Sequence, residues 1–284
     1  GGLHGVGVAV VNALSETFEV YIKRDGKLQH MAFKDGKKTS KLAVKDKVGK
    51  RNTGTLINFK PNPSHFDSPK FSVSSLKHLL RAKAVLCPGL KVIFVDETSS
   101  KSEEKQTEWY FEHGLEDYLG AELEGLNLLP SAPFTGSMEG QEEAVDWAVQ
   151  WQTERGDLIV ESYVNLIPTT QGGTHVNGLR AGLLEALKEF CEFRNLLPRG
   201  IKITGEDIWD KCNYVLSAKM IEPQFVGQTK ERLNSRQALT FISGVVKDSF
   251  SLWLNQHISD GEAIAELAIS SAQARLRAGK KVAR

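Results

Sequence analysis

The rhythm of apolar and polar residues changes along this 284-residue chain, and the changes mark its elements. Near the start, "VAVVNAL" is almost wholly apolar and predicts a short buried helix behind a run of glycines. "FEVYIK" then alternates as a half-buried strand does, and Asp25-Gly26 signals a hairpin into a returning strand, "LQHMAFKDG". "TGTLINFKP" predicts a third strand, closed by Pro61. Leu76, Leu79, Leu80, Val85 and Leu86 recur at helical spacing, so a helix is predicted over 74–86, stopped by Pro88-Gly89. "KVIFVD" reads as a strand, "ETSSKSEEKQT" as a surface loop and "HGLEDYLGAEL" as a closing helix.

The stretch "NLLPSAPFTGSMEGQEE" is rich in Pro, Gly and polar residues and predicts a domain boundary, giving a first domain over 1–127. Beyond it, "AVDWAVQWQ" and "DLIVESYVNLIP" are period-2 strands around a Gly-Asp turn. The loop "TTQGG" leads into a long helix over 175–194, with Leu179, Leu183, Leu187 and Phe190 on one face and Thr174 as its N-cap. "YVLSAKM" is strand-like, "IEPQFVGQTKERLNS" is a polar loop, and one long helix follows from about Ser235. After Glu266 there is no acidic residue, but there are Arg275, Arg277, Lys280, Lys281 and Arg284. A second domain is therefore expected over 128–265 and a basic linker helix over 266–284.

Composition narrows the class. Hydrophobic content of 40% and charged content of 25% fit a soluble globular protein. No run approaches the ~18 consecutive apolar residues of a membrane span, so no membrane partner is expected. Cys87, Cys191 and Cys212 lack metal-ligand spacing and read as reduced thiols of a cytoplasmic protein. The net charge of +1 hides an asymmetry. Residues 22–60 carry twelve Lys/Arg against three Asp/Glu, whereas 96–161 carry three against seventeen. The basic block reads either as a solvated face or as a surface for an anionic partner.

Two short motifs carry candidate chemistry. Leu3-His4-Gly5-Val6-Gly7 ahead of a helix offers unhindered backbone N–H groups where helix geometry favours anions. The spacing is G-x-x-G-x-G, neither a Walker A loop nor the G-x-G-x-x-G of dinucleotide folds, so a tight structural turn and a phosphate loop both remain open. Gln228-Thr229-Lys230 places an ammonium beside a neutral amide, a pairing suited to a terminal phosphate but common on ordinary surfaces.

Taken in order, "GGLHGVGVAVVNALS", "NTGTLINFKP", "IPTTQGGTHVNGLRAGL" and "PQFVGQTKERL" resemble the B subunits of bacterial type IIA topoisomerases. "EFCEFRNLLPRG" and "ISGVVKDSFSLWLNQ" resemble the topoisomerase IV branch more than the gyrase branch. The resemblance implies an α/β (α+β) fold, a truncated GHKL-type ATPase sandwich followed by a transducer domain with a βαβ core and a long C-terminal helix. It implies an ATP lid over Gly2, Leu3, His4, Gly5, Val6, Gly7 and Val8, with Thr55 and Ile57 at the adenine. Gln228 and Lys230 are then catalytic residues at the γ-phosphate, and Arg24 is a basic residue at the pocket mouth. For Thr55 and Ile57, strand residues facing a core remain the alternative.

The resemblance further implies ATP with Mg²⁺, DNA, the A subunit of the same enzyme and a second copy of the B subunit as partners, in a nucleoid-associated protein. The family's general base, its Mg²⁺-binding Asn and its adenine-reading Asp match nothing in this chain, so an internal piece, inactive alone, is expected. Arg180, Arg194 and Arg199 are candidate DNA contacts. The alternatives are a gyrase B subunit and a non-catalytic nucleotide- or DNA-binding module.

Overall fold

The computed structural model describes residues 5–100 and 105–282, with side chains through 279. Two compact units are present, Gly1–Leu76 and Lys77–Arg284.

In the first unit, α1 (Gly7–Ala13) precedes β1 (Ser15–Arg24), β2 (Lys27–Lys34), β3 (Lys37–Lys38), β4 (Ala43–Lys47) and β5 (Gly54–Pro61). These strands form one antiparallel sheet in the order β3-β2-β1-β5, with β4 also paired to β2. Asp25 and Gly26 stand at φ 53° and 73°, and Asp35 and Gly36 at 49° and 74°. Tight hairpins need this left-handed pair, which Gly adopts freely and Asp tolerates. Phe18 is buried where β1 faces its neighbours, with Phe33 at 6.1 Å and Phe59 at 6.5 Å between ring centroids.

The helix expected from "VAVVNAL" forms, but its expected burial does not. Val8 is 59% exposed, and Leu56 and Ile57 on opposite faces of β5 are 59% and 46% exposed. The apolar run dictates a helix, while burial needs a covering layer that the described residues of this unit do not supply.

The second unit has three layers. Its elements are α2 (Val73–Leu86, from Lys77 onward), β6 (Val92–Val95), β7 (Gln106–Trp109), α3 (Leu115–Glu122), β8 (Leu128–Glu139), β9 (Glu143–Gln152), β10 (Val160–Val164), β11 (Ile167–Pro168), α4 (Thr174–Phe193), α5 (Gly205–Trp209), β12 (Cys212–Met220), α6 (Arg236–Gln256) and α7 (Ile258–Val282). The main sheet runs β11-β10-β12-β9-β8, and β10 and β12 are parallel, with α4 and α5 between them in the chain. Val145, Trp147, Val149 and Trp151 of β9 pack with Leu216 of β12 against α4, α6 and α7. On the other face, Ala148, Tyr163 and Val215 meet Val85 and Leu86 of α2 and Leu115 and Leu119 of α3. Helices on both faces explain why β9 and β12 are buried almost throughout instead of alternating.

Three expectations are corrected. The stretch predicted as a boundary linker is strand β8, which pairs only with β9. An edge strand tolerates proline. Pro130 and Pro133 fall where the register slips between Leu129 and Phe134, and the Gln150 amide donates to the Pro130 and Ser131 carbonyls at 2.8 and 3.2 Å. Second, α4 begins one residue early: Gly173 is its N-cap, and Thr174 Oγ1 is buried without a partner. Third, the single helix expected from Ser235 is two, broken at His257 (φ −122°, ψ 60°). The apolar period continues past the break, with Ile264, Ala265, Ala268 and Ala272 buried on α7, so the pattern alone does not reveal it.

Helix α4 is seamed to α6 by glycines. A Cβ on Gly178 would lie 3.0 Å from the Leu239 carbonyl oxygen, and one on Gly182 would lie 2.8 Å from that of Ser243 and 2.9 Å from Lys247 N. At the far end, Arg275 of α7 grips Asp207 of α5 with two bonds, Nε–Oδ1 at 3.1 Å and Nη2–Oδ2 at 2.9 Å. Burial alone would raise the Asp207 carboxyl. The bonds from Arg275 and Thr204 outweigh it and hold the carboxyl below its usual value.

Gly182→Ala is expected to cost about 2 kcal/mol in urea unfolding, because backbone rather than a movable side chain blocks the new methyl. Arg275→Ala is expected to lower stability at pH 7, leaving the buried Asp207 carboxylate without its counter-charge and with only the neutral donors of Thr204 and Ser271. A carboxyl held low in the folded state stabilises above its unfolded value, near 3.9, and that contribution is lost as pH falls through the folded value. The gap between wild type and Arg275→Ala should therefore shrink in unfolding titrations as pH drops below about 4.

Candidate functional site

The loop between β12 and α6 is built as a hairpin whose tip carries Gln228, Thr229 and Lys230. Val226 N donates to Arg232 O at 2.9 Å, and Asn234 N donates to Gln224 O at 2.8 Å. Its base is fixed by Ser235, whose Oγ accepts from Gln224 N at 2.9 Å, and by Asn165, which bonds both N and O of Met220. Gly227 at φ 81° and Lys230 at φ 59° turn the tip. A lysine in the left-handed region is uncommon and is held there by its surroundings.

Those surroundings come from the residues just before α4. Leu233 N donates to Gly172 O at 3.0 Å, Thr174 N to Leu233 O at 3.1 Å, and Gln171 N to Glu231 O at 3.0 Å. The Glu231 carboxylate accepts from Gln171 Nε2 at 3.0 Å and from Thr229 Oγ1 at 3.2 Å. Gly173 makes this zipper possible: at φ 133°, a Cβ there would fall 2.3 Å from Leu233 O. Beneath it, His175 is fully buried, its Nε2 2.9 Å from Thr169 Oγ1, which is 2.7 Å from Ser162 Oγ. Burial pushes the His175 ring down to about 4, so it is neutral at pH 7.

Among the described residues, neither the Gln228 amide nor the Lys230 ammonium has a hydrogen-bond or ion-pair partner. Gln228 is exposed and Lys230 half-buried. The arrangement is a cation without a counter-charge on a hydrogen-bonded loop, suited to an anion arriving from outside.

In the first unit, Gly2, Leu3 and His4 lie outside the described residues. Gly5, Val6, Gly7 and Val8 are exposed, with Gly5 at φ 64° and nothing within 4 Å of a Cβ position at Gly5 or Gly7. The N-cap Val6 supplies no side-chain cap, and the first turn of α1 holds no acid, so its opening N–H groups face no competing carboxylate of their own helix. Thr55 and Ile57 are exposed on the face of β5 that also carries Phe59. Phe59 lines a cleft of about 350 Å³ with Val10, Val11 and Leu14 of the α1 segment and with Phe66 and Phe71. Thr55 and Ile57 do not line this cleft themselves. Arg24 is exposed, its only ion-pair partner among the described residues being Asp25 at 3.8 Å.

The unhindered glycines of the first unit and the unpaired lysine of the second each have a chemistry suited to phosphate oxygens. No group of three or more His, Cys, Asp or Glu able to hold a metal ion occurs among the described residues, so Mg²⁺ is assigned no ligand here. Of the candidate DNA contacts, Arg180 stacks on Trp209 at 5.0 Å and Arg194 pairs with Glu262 at 2.7 Å, so both are engaged within the unit. Among the described residues no helix is long and apolar enough to cross a membrane. Sequence reasoning assigned no role to Gln171, Gly173, Glu231 and Leu233. The visible trace is the paired glycine before the helix in "TTQGGTH".

The family model for DNA gyrase B matches residues 114–283. The chain is 60% identical to the B subunit of DNA topoisomerase 4 from Haemophilus influenzae across its full length, and spans 44% of that protein. Among solved structures it resembles the topoisomerase IV ATP-binding domain of Francisella tularensis, in complex with a small-molecule inhibitor, with TM-score 0.80 and 42% identity over 97% of this chain and 74% of that one. It also resembles the 43K ATPase domain of Thermus thermophilus gyrase B, in complex with an aminocoumarin, with TM-score 0.83 and 32% identity over 98% of this chain and 74% of that one.

Gly173→Ala should unzip the Lys230 hairpin, since its methyl would sit inside the Leu233 backbone. The expected result is a loss of about 100-fold or more in hydrogen-exchange protection at the Leu233 and Thr174 amides, with the β9–β12 amides little changed.

Proposed function

Because the chain belongs to the DNA gyrase B family, we propose that it is the ATP-lid and transducer portion of a type IIA topoisomerase B subunit of the topoisomerase IV kind. The observation that carries this reading is the hydrogen-bonded hairpin presenting an unpaired Lys230 beside Gln228, in a chain that also holds the open glycine loop. In the full subunit, ATP is bound and hydrolysed, and the energy of its binding closes a dimeric gate over captured DNA for duplex passage and decatenation.

Each residue has a role in that scheme. Gly2 to Val8 wrap the triphosphate with backbone amides, glycine permitting the close approach. Thr55 hydrogen-bonds the adenine and Ile57 walls it. Lys230 neutralises charge on the γ-phosphoryl oxygens and Gln228 donates a neutral hydrogen bond there. The Glu231–Gln171 and Leu233–Gly172 contacts transmit the load on Lys230 to the start of α4, so loss of the γ-phosphate frees the hairpin and its helix together. Mg²⁺, when bound, would offset phosphate charge. The partners are DNA, the topoisomerase IV A subunit and a second B subunit, in a cytoplasmic, nucleoid-associated complex. The domains are assigned as ATPase over 1–127, transducer over 128–265 and linker helix over 266–284.

The gyrase B family model supports a second reading, a gyrase subunit with the same site but a supercoiling output. Reconstitution with the A subunit separates them: decatenation without supercoiling supports the first, ATP-driven supercoiling the second. In the full-length subunit, Lys230→Ala is expected to lower ATPase kcat by about 100-fold and to abolish strand passage. Unchanged ATPase and passage would overturn the assignment of Lys230. Gln228→Ala should cost less, since it removes a neutral donor.

A further inference from the structure

We propose that the end of the first unit's sheet formed by the β1–β2 turn and the loop after β4 is a docking surface for the phosphate backbone of duplex DNA. This deepens the DNA-partner part of the reading above and does not depend on the role given to Lys230.

The strand register brings the basic block together. Arg24 of β1 lies opposite Lys27 of β2, and Lys27 lies opposite Lys47 of β4. Three cations therefore stand in one row across three strands, about 5 Å apart per step. The turn and the loop add to the row: Val48 N donates to Gly26 O at 3.0 Å, and the Lys50 side chain passes 3.6 Å from a Cβ position at Gly26. Lys23 and Arg51 lie at the same end, and all six cations are exposed.

Compensation is sparse. Asp25 reaches Arg24 only at 3.8 Å, and Asp46 spends Oδ1 on the Lys47 backbone N–H. Among the described residues, Lys23, Lys27, Lys47, Lys50 and Arg51 have no ion-pair partner. Like charges directly opposite on a sheet are destabilising, so the row is maintained against the unit's own stability.

The chemistry selects the partner. Lysine predominates, giving point charges without base-reading geometry. Neither 23–28 nor 46–51, the two segments that carry the six cations, contains an aromatic residue to stack on unpaired bases, which favours a duplex over a single strand. The acidic block over 96–161 of a second copy is a poorer occupant, because it is interrupted by carboxylates already engaged within the unit. Glu108 pairs with Lys91, Glu122 with Arg81 and Asp146 with Lys219, and Glu161 accepts from Tyr118 and Tyr163.

The test uses the 284-residue chain and its Lys27→Gln/Lys47→Gln/Lys50→Gln variant, with fluorescence anisotropy of a labelled duplex of about two helical turns across about 50–200 mM salt. Losing three phosphate contacts should reduce the slope of log K against log salt by about 2–3 and weaken binding at least ~10-fold. The thermal midpoint should be unchanged or higher, because opposed like charges have been removed. Lys47→Arg should retain the wild-type slope. An unchanged slope overturns the proposal. So does a variant whose duplex binding holds while its self-association or its binding to phosphatidylserine vesicles falls. Lys230→Ala in the same assay should leave the slope intact, so failure of the nucleotide assignment and failure of this surface are read separately.

Discussion

The second unit depends on how closely α4 lies against its neighbours, and three positions without side chains set that distance. Gly173 lets backbone meet backbone at Leu233, and Gly178 and Gly182 let α6 press against α4 at Leu239, Ser243 and Lys247. Close packing at native density leaves no slack for a methyl at these points. The consequence runs in both directions along the chain. Upstream, α4 fills the core with Leu179, Leu183 and Leu187. Downstream, α6 brings Phe250 onto Trp151 at 5.8 Å and onto Phe134 at 4.9 Å. The loop between β12 and α6 is thus held at both ends and along its side. Its tip keeps Lys230 in a left-handed conformation that an untethered loop would relax.

Much of this was legible in the sequence, and the limits have physical causes. Strands β1, β2 and β5 announced themselves because one face of each is apolar, and the turns on either side of β2 carry Asp-Gly. The face of α4 was plain because Leu179, Leu183, Leu187 and Phe190 follow the helical period. Strand β8 was hidden, since composition signals a linker when prolines accumulate, and only edge position makes Pro130 and Pro133 acceptable. The α6–α7 break was hidden for the opposite reason. Its flanks share one apolar period, and the change in direction lies in backbone dihedrals at His257.

For the candidate site, the motifs were legible and their supports were not. Gln228-Thr229-Lys230 and the glycines stand out as residue types with a chemical use. The zipper that gives them geometry consists of main-chain bonds from Gln171, Gly172 and Thr174 to Glu231 and Leu233, and main chain carries no sequence signature. Only the glycines betray it, since a backbone approach this close excludes any larger residue. The burial of α1 was misread on similar grounds. Hydrophobicity reports what a surface prefers to touch, and Val8 and Val10 show the preference without the contact.

Charge makes the same point in reverse. In the second unit, conspicuous cations are spent on structure: Arg275 on Asp207, Arg194 on Glu262, and Lys247 on Glu185 and Glu189. Each pair fixes a helix against its neighbour, so the charge is consumed where it stands. Lys230 and the row Arg24, Lys27 and Lys47 are different, held by backbone geometry in places where the fold gives them little or no counter-charge. A charge that stabilises a fold is recognised by its partner, and a charge kept for an outside anion by the lack of one. By that criterion the lysine hairpin and the basic sheet end are two places, among the described residues, where backbone geometry holds cations that the fold itself leaves with little or no counter-charge.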